Sequence, residues 1–276
     1  MGRMPEVAKT RKRRLDEELV ARGLFSSRDE AMRAVLAGEV STTDRRLTSP
    51  GEQVPEGLFL HVRGHSPYVG RGGLKLERGL EAFGVDPTGL ACLDVGCSTG
   101  GFTDCLLKHG AQSVLAVDVG YAQFDWALRE DPRVDLRERT NIVDLPLDEN
   151  RASIDLAVCD VSFTSVETVL PAVCELLREG GSFLVLVKPQ FEAERSDVGE
   201  GGIVRDPSVQ LAALEKVARA FDAFGLTPVG ACPSPISGHK GNREFLLLGI
   251  RGAKKTDPLD LSAVVFRDET ALVPRH

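Results

Sequence analysis

The chain has 276 residues, 42% of them hydrophobic, enough for one large domain plus a small one, each with a buried core. A formal net charge of -7 does not advertise a nucleic-acid binder, yet residues 1–63 hold 12 Lys and Arg against 10 Asp and Glu, while the remainder holds 22 against 31. Six cysteines (Cys92, Cys97, Cys105, Cys159, Cys174 and Cys232) without a CxxC pair argue against zinc, the apolar runs are too short to span a bilayer, and no signal-peptide pattern follows the basic amino end. These features predict a cytoplasmic protein with free thiols, no metal and no membrane partner.

In chain order, residues 1–10 predict a disordered tail. The densest basic run, Thr10-Arg11-Lys12-Arg13-Arg14, leads into a helix with Leu15, Leu19 and Val20 on one face and Gly23 at its end. Ser26 or Ser27 caps a second helix bearing Ala31, Val35 and Leu36, and Gly38 ends it. Residues 40–54 read as short strands joined by a polar turn. Two helices crossing at a glycine turn can present Arg11, Arg13, Arg14, Arg28 and Arg33 on one side, where a phosphate backbone would be gripped. The order Arg14-Leu15-Asp16, Leu19-Val20, Gly23, Ser27-Arg28, Ala31, Val35, Gly38, Val40 is similar to the small RNA-binding domain named after ribosomal small-subunit protein four. The division predicted is an RNA-binding domain at 11–63, a linker at 64–73, a larger domain at 74–252 and a loosely ordered tail at 253–276.

The larger domain alternates strand and helix. A helix is predicted at 74–83, and Pro87 and Gly89 break the chain before an apolar strand at 90–95. A glycine turn, an amphipathic helix and a second strand at 114–119 complete one βαβ unit. Further elements are a helix at 123–130, strands at 134–137 and 154–159, a helix at 166–177 and a strand at 182–187. A glycine-rich loop at 190–206 precedes a helix at 209–224 with Pro207 at its start, and strands at 227–231 and 244–250 close the sheet.

The turn Asp94-Val95-Gly96-Cys97-Ser98-Thr99-Gly100-Gly101 lacks GxGxxG spacing, and its leading carboxylate would repel a pyrophosphate but suit a cationic nucleoside. That chemistry points to S-adenosylmethionine, with Asp94, Gly96, Ser98, Thr99, Gly100, Gly101 and Phe102 around it and Asp118 accepting from its ribose hydroxyls. Asn141 and Asp144 are candidates for the adenine end. Asp160 and Lys188 each end a strand, Glu244 opens the last one, and Lys75 lies on the helix after the linker.

The order Lys75, Asp160, Lys188, Glu244 is similar to the tetrad of FtsJ-type ribose 2′-O-methyltransferases. A ribose hydroxyl must lose a proton as it attacks a sulfonium methyl. A partly buried lysine beside a second lysine can act as the neutral base; Lys188 is the candidate, with Asp160 and Glu244 orienting and Lys75 tuning the charge. Together the halves resemble the TlyA family, an RNA-binding module fused to such a methyltransferase, often labelled haemolysins. The resemblance runs from about residue 14 to 252. It is carried by Arg71-Gly72-Gly73-Leu74-Lys75, Cys159-Asp160-Val161-Ser162-Phe163, Val187-Lys188-Pro189-Gln190-Phe191-Glu192, Gly201-Gly202-Ile203-Val204-Arg205-Asp206-Pro207 and Gly241-Asn242-Arg243-Glu244. It implies a Rossmann-like α/β methyltransferase sheet preceded by a small α+β RNA-binding domain, with S-adenosylmethionine as cofactor. The implied partner is ribosomal RNA or a ribosomal subunit, methylated on cytidine ribose in 16S and/or 23S rRNA, and Arg71 joins the RNA contacts. Many relatives carry Ser-Arg where this chain has Gly70-Arg71, so a contact from that serine is not assumed. The rival readings are a pseudouridine synthase, a non-catalytic ribosome-binding protein and a membrane-active haemolysin. The turn argues against the first, the intact tetrad against the second and the lack of a spanning segment against the third.

Overall fold

A computed structural model describes residues 12–42, 45–55, 58, 60–64, 67–145, 151–254 and 258–266; the expected tail at 1–10 and Arg11 lie outside them. The chain divides into two units, Met1–Pro67 and Tyr68–His276.

In the first unit, α1 (Leu15–Ala21) carries Asp16, Glu17 and Glu18 in its first turn, where carboxylates complement the helix dipole. Leu15 and Leu19, four apart, share one face and are fully buried. Gly23 takes φ +69°, a left-handed conformation that lets the chain leave the helix. Helix α2 (Arg28–Leu36) starts at Ser27, whose hydroxyl accepts from Glu30 N at 3.3 Å, and the Glu30 carboxylate reaches back to accept from Ser26 N and Oγ. The basic run becomes a strand: β1 (Lys12–Arg14) pairs antiparallel with β3 (Gln53–Pro55), and β2 (Val40–Ser41) with β4 (His61–Val62). Of the strands expected between 40 and 54, β2 and β3 each pair with a more distant segment, while an antiparallel bridge between Ser41 and Arg46, with Leu47 N donating to Val40 O at 2.9 Å, joins β2 to the residues after the expected polar turn. Leu15, Leu19, Ala31, Val35, Leu47 and Val54 close the small core, and each large aliphatic side chain buried there contributes roughly 1.5–3 kcal/mol.

The second unit is a seven-stranded sheet flanked by helices. Its elements are α3 (Gly72–Phe83), β5 (Ala91–Val95), α4 (Gly101–Lys108), β6 (Ser113–Val117), α5 (Trp126–Arg129), β7 (Val134–Arg137) and β8 (Ile154–Cys159). Then come α6 (Val166–Leu176), β9 (Leu177–Val187), α7 (Pro189–Glu192), α8 (Pro207–Ala223), β10 (Leu226–Pro233), β11 (Phe245–Arg251) and α9 (Leu261–Phe266). The strand order is β10-β11-β9-β8-β5-β6-β7, in which β7, β6, β5, β8 and β9 run parallel and β11 runs antiparallel to both its neighbours. The chain winds away from β5 in both directions, which opens a crevice at the carboxyl ends of β5 and β8. Because β11 is reversed, its amino end lies at that same edge. A residue that opens β11 therefore joins residues that close β5, β6, β8 and β9.

Three expectations are corrected. Strand β9 begins at Leu177, five residues earlier than expected, because Leu177 pairs with Ile154; the register then shifts through an irregularity before Ser182 pairs with Leu156. The loop at 190–206 starts as a helical turn, α7, led by Pro189 at a position where the missing N–H is harmless. The carboxyl-terminal segment is not loose throughout: α9 buries Leu261, Ala263, Val264 and Val265, the apolar side of a six-residue helix. Among the described residues no helix is long and apolar enough to cross a membrane.

Candidate active site

The glycine turn after β5 is built by backbone conformations that side chains resist. Gly96 (φ +81°) and Gly100 (φ +93°) are left-handed, and a Cβ on Gly96 would lie 2.9 Å from the Asp160 carbonyl oxygen. Ser98 is also left-handed, at φ +47°, and its N–H donates to Asp118 Oδ2 at 2.7 Å. Asp118, one residue past β6, also accepts from Gly120 N at 2.6 Å. Its carboxylate thus ties the turn after β5 to the turn after β6, with lone pairs left for hydroxyl donors. Thr99 is exposed and its carbonyl accepts from Asp125 N at 3.1 Å. Gly101 opens α4, while Phe102 is buried, its ring 3.3 Å from where a Gly72 Cβ would stand, a packing position under α3.

Asp94 is fully buried, and its Oδ2 accepts from Thr103 Oγ1 at 2.7 Å. Its Oδ1 has no hydrogen-bond partner among the described residues, and burial pushes its carboxyl up to about 7. An orphaned acidic oxygen under a side-chain-free cradle, with a second carboxylate at the next strand tip, fits a cationic nucleoside such as S-adenosylmethionine. Asn141 is exposed and its side-chain oxygen accepts from Val143 N at 3.4 Å, capping the 3₁₀ turn Ile142–Asp144 on which Asp144 is also exposed.

Two lysine–carboxylate pairs stand at the same sheet edge. Lys75 Nζ donates to Glu244 Oε2 at 2.5 Å, and both residues are buried. Lys75 faces the sheet because it sits one helical turn before Gly79, whose missing side chain lets α3 press onto Leu184 and Leu246. Lys188 Nζ lies 2.6 Å from Asp160 Oδ1 and donates to Ser162 Oγ at 2.8 Å. The ladder brings the pairs together: Phe245 is registered with Val187, so Glu244 and Lys188 are the next positions on adjoining strands. Asp160 N donates to Val95 O at 3.0 Å, fixing the loop after β8 to the end of β5. Arg71, exposed at the start of α3, donates to the Ser237 carbonyl at 3.5 Å.

The sequence assigned no task to Ser162, Glu192 or Asn242, although all three lie in the stretches it singled out. Asn242 is buried, donates to Gly202 O at 2.9 Å and accepts from Val204 N at 3.0 Å, joining the loop after α7 to the loop before β11. Only the neighbouring Gly201-Gly202 and Gly241 hinted at such a backbone-to-side-chain clamp.

In the first unit the arginines surround buried acids. Arg13 pairs with Glu18 at 2.8 Å, and Arg14 and Arg28 reach Asp16 at 2.8 and 3.1 Å. Arg28 also lies 3.2 Å from Glu17. Arg33 is exposed on α2, and its charge helps hold the Glu30 carboxyl below the usual range, behind the larger effect of the Ser26 bonds. Arg11 lies outside the described residues.

Comparison with known proteins places this geometry. The family model described as FtsJ-like methyltransferase matches residues 68–251. A candidate rRNA methyltransferase, YqxC of Bacillus subtilis, is 47% identical over 240 residues, covering 86% of this chain and 85% of that one. The 16S/23S rRNA (cytidine-2′-O)-methyltransferase TlyA of Mycobacterium tuberculosis is 43% identical over 239 residues, 86% of this chain and 89% of its own. A solved structure of a hemolysin candidate from Streptococcus thermophilus superposes with a TM-score of 0.70 at 39% identity, covering 93% of this chain and 95% of that one. On the match over most of its length, this chain belongs to the FtsJ-like methyltransferase family, among relatives that include TlyA.

Proposed function

We propose that this chain transfers a methyl group from S-adenosylmethionine to the 2′-hydroxyl of a cytidine in ribosomal RNA. The observation that carries this reading is the meeting of two lysine–carboxylate pairs, both lysines buried, beside a glycine turn whose strand ends in a buried carboxylate with an unpartnered oxygen. The cofactor, when bound, supplies an electrophilic sulfonium methyl. Asp94 provides the compensating charge for that cation, Asp118 accepts from ribose hydroxyls, and Gly96, Ser98, Thr99, Gly100 and Gly101 admit the ligand to the backbone. Lys188 in its neutral form takes the proton from the attacking hydroxyl, and Asp160 with Ser162 aims its nitrogen. Lys75 and Glu244 keep the adjoining side of the cleft electrically balanced and hold the ribose against Lys188. What the pocket has to provide is alignment and a proton acceptor.

Residues 11–63 serve in this reading as the RNA grip through Arg11, Arg13, Arg14, Arg28 and Arg33, while 74–252 carry the chemistry and Arg71 guides the strand inward. The supporting observation is that Arg13, Arg14 and Arg28 are held on buried acids with their side chains 37%, 39% and 49% exposed, which fixes their direction without hiding their charge. The decisive experiment supplies labelled S-adenosylmethionine and ribosomal subunits purified from cells lacking this protein, then maps 2′-O-methyl marks. Label in cytidine ribose is expected; label in bases, or none with correctly folded protein, overturns the reading.

A further inference from the structure

The stretch Val187-Lys188-Pro189-Gln190-Phe191-Glu192 holds a second buried charge besides its lysine. Glu192, at the opposite end of α7, is buried, and its carboxylate accepts from Val166 N at 2.7 Å and from Ser165 Oγ at 2.6 Å. Lys216 of α8 donates to the Glu192 carbonyl at 3.2 Å and lies 3.5 Å from its Oε2. Ser165 is the cap of α6 and the last residue of the loop that begins with Asp160. One carboxylate therefore joins the two loops whose other ends meet as Lys188 with Asp160 and Ser162.

The loop between those anchors is strained. Phe163 has φ +64°, a left-handed conformation that a bulky side chain disfavours, and it is 92% exposed. Its ring is tilted against that of Phe191, at 5.2 Å between centroids and 49° between planes. An exposed ring cannot supply the burial that would hold such a turn. Strained backbone persists only where the surroundings over-determine it, and the nearest fixed points on the carboxyl side are the two bonds from Glu192.

We propose that Glu192 is a positioning residue for methyl transfer: it pins the end of the strained Phe163 turn to α7, so that Asp160 and Ser162 stay on Lys188. This rests on Lys188 being the base. Glu192→Gln keeps the shape and one good acceptor, whereas Glu192→Ala removes both bonds. Full-length variants are compared in single-turnover methyl transfer to ribosomal subunits, alongside calorimetry with S-adenosylmethionine, thermal melts and Lys188→Ala. The expected result for Glu192→Ala is a loss of the transfer rate on the order of 10²-fold, the penalty of an ångström-scale misplacement, with cofactor affinity and KM for subunits within about twofold. Glu192→Gln should recover most of the rate. If Glu192→Ala does not fold, Glu192→Asp, whose shorter side chain cannot keep both bonds, takes its place: a folded Glu192→Asp at least tenfold slower at unchanged KM supports the proposal, and one at the wild-type rate overturns it. A folded Glu192→Ala with the wild-type rate, or a rate that falls only with the folded fraction, overturns it while Lys188→Ala remains inactive. An active Lys188→Ala overturns the base assignment and this inference with it.

Discussion

The arginine pairs of the first unit and the lysine pairs at the sheet edge of the second differ in where the cation sits. In the first, the acids are buried and the cations reach out: the Asp16 side chain is fully buried, while those of Arg14 and Arg28 are 39% and 49% exposed. At the sheet edge of the second, the cations are buried too: the Lys75 and Lys188 side chains are 11% and 10% exposed, beside Glu244 at 2% and Asp160 at 21%. Guanidinium groups stay protonated and present flat forks of donors, so anchoring them on buried carboxylates gives a fixed positive surface suited to phosphate. An ammonium drawn out of water can surrender its proton, so burying lysine suits chemistry and would be a poor way to hold an RNA backbone. Arginine outside and lysine inside are therefore different tools, and the contrast can be tested from both ends.

The largest effect is expected at Lys188. Lys188→Ala should lower single-turnover methyl transfer by at least about 10³-fold with little change in cofactor or subunit affinity, because the lost interaction belongs to the transition state. Lys188→Arg should fail almost as fully, since the guanidinium keeps its proton. Substantial activity in the arginine variant would make Lys188 a phosphate contact and erase the contrast. Next comes the buried pair of Lys75 and Glu244. Removing either partner alone strands a buried charge and should destabilise the protein by about 3–5 kcal/mol, while Lys75→Met with Glu244→Leu should recover much of that. Denaturant midpoints check this, and equal losses in single and double variants would refute it.

Asp118→Ala should weaken S-adenosylmethionine binding by about 1–3 kcal/mol by calorimetry. Part of that loss comes from freeing the Ser98 and Gly120 amides, so Asp118→Asn, which keeps one acceptor, should lose less. Asp94 gives a pH signature. With its carboxyl pushed up to about 7 by burial, the folded protein holds a proton that the unfolded chain releases near 4. Stability therefore falls as pH rises from about 4 to about 7 and levels off above, a slope that Asp94→Asn should remove from melts across that window. A bound cation favours the carboxylate, so cofactor affinity should climb over the same range. The smallest effect per residue belongs to the arginines. Neutralising Arg13, Arg14, Arg28 or Arg33 should weaken RNA binding modestly and reduce the salt slope by about one for each phosphate left without its cation. An unchanged slope would assign Arg13, Arg14 and Arg28 to Asp16, Glu17 and Glu18 alone.

Local pattern made the centre of the second unit legible. The apolar runs on either side of Gly96, Gly100 and Gly101 gave β5 and β6 to within a residue or two and the presence of a helix between them, and Pro207 marked the start of α8. The tetrad was legible because each member adjoins a strand end or a glycine break that periodicity reveals. Partnership was not legible. Nothing local says that Lys12–Arg14 pairs with residues some forty positions later, so a strand read as a basic run leading into a helix. Asp16 and Glu18 looked like ordinary first-turn acids, and their burial emerges only when the arginines fold over them. Helix α9 was hidden for a related reason: six residues after a polar, proline-bearing segment show too little period to separate a docked helix from a tail.

The reversed strand β11 also has a consequence in time. It inserts between β9 and β10, and Glu244 at its start is the last of the four charged residues to leave the ribosome during synthesis. Until then Lys75 has no carboxylate to meet, and β9 and β10 have no strand between them. The sheet edge that holds Lys75, Asp160, Lys188 and Glu244 is thus expected to close only once the chain has been made past residue 244. Chains halted before residue 244 should be protease-sensitive and inactive. A truncation series that became protease-resistant and active before residue 244 would contradict that order of events.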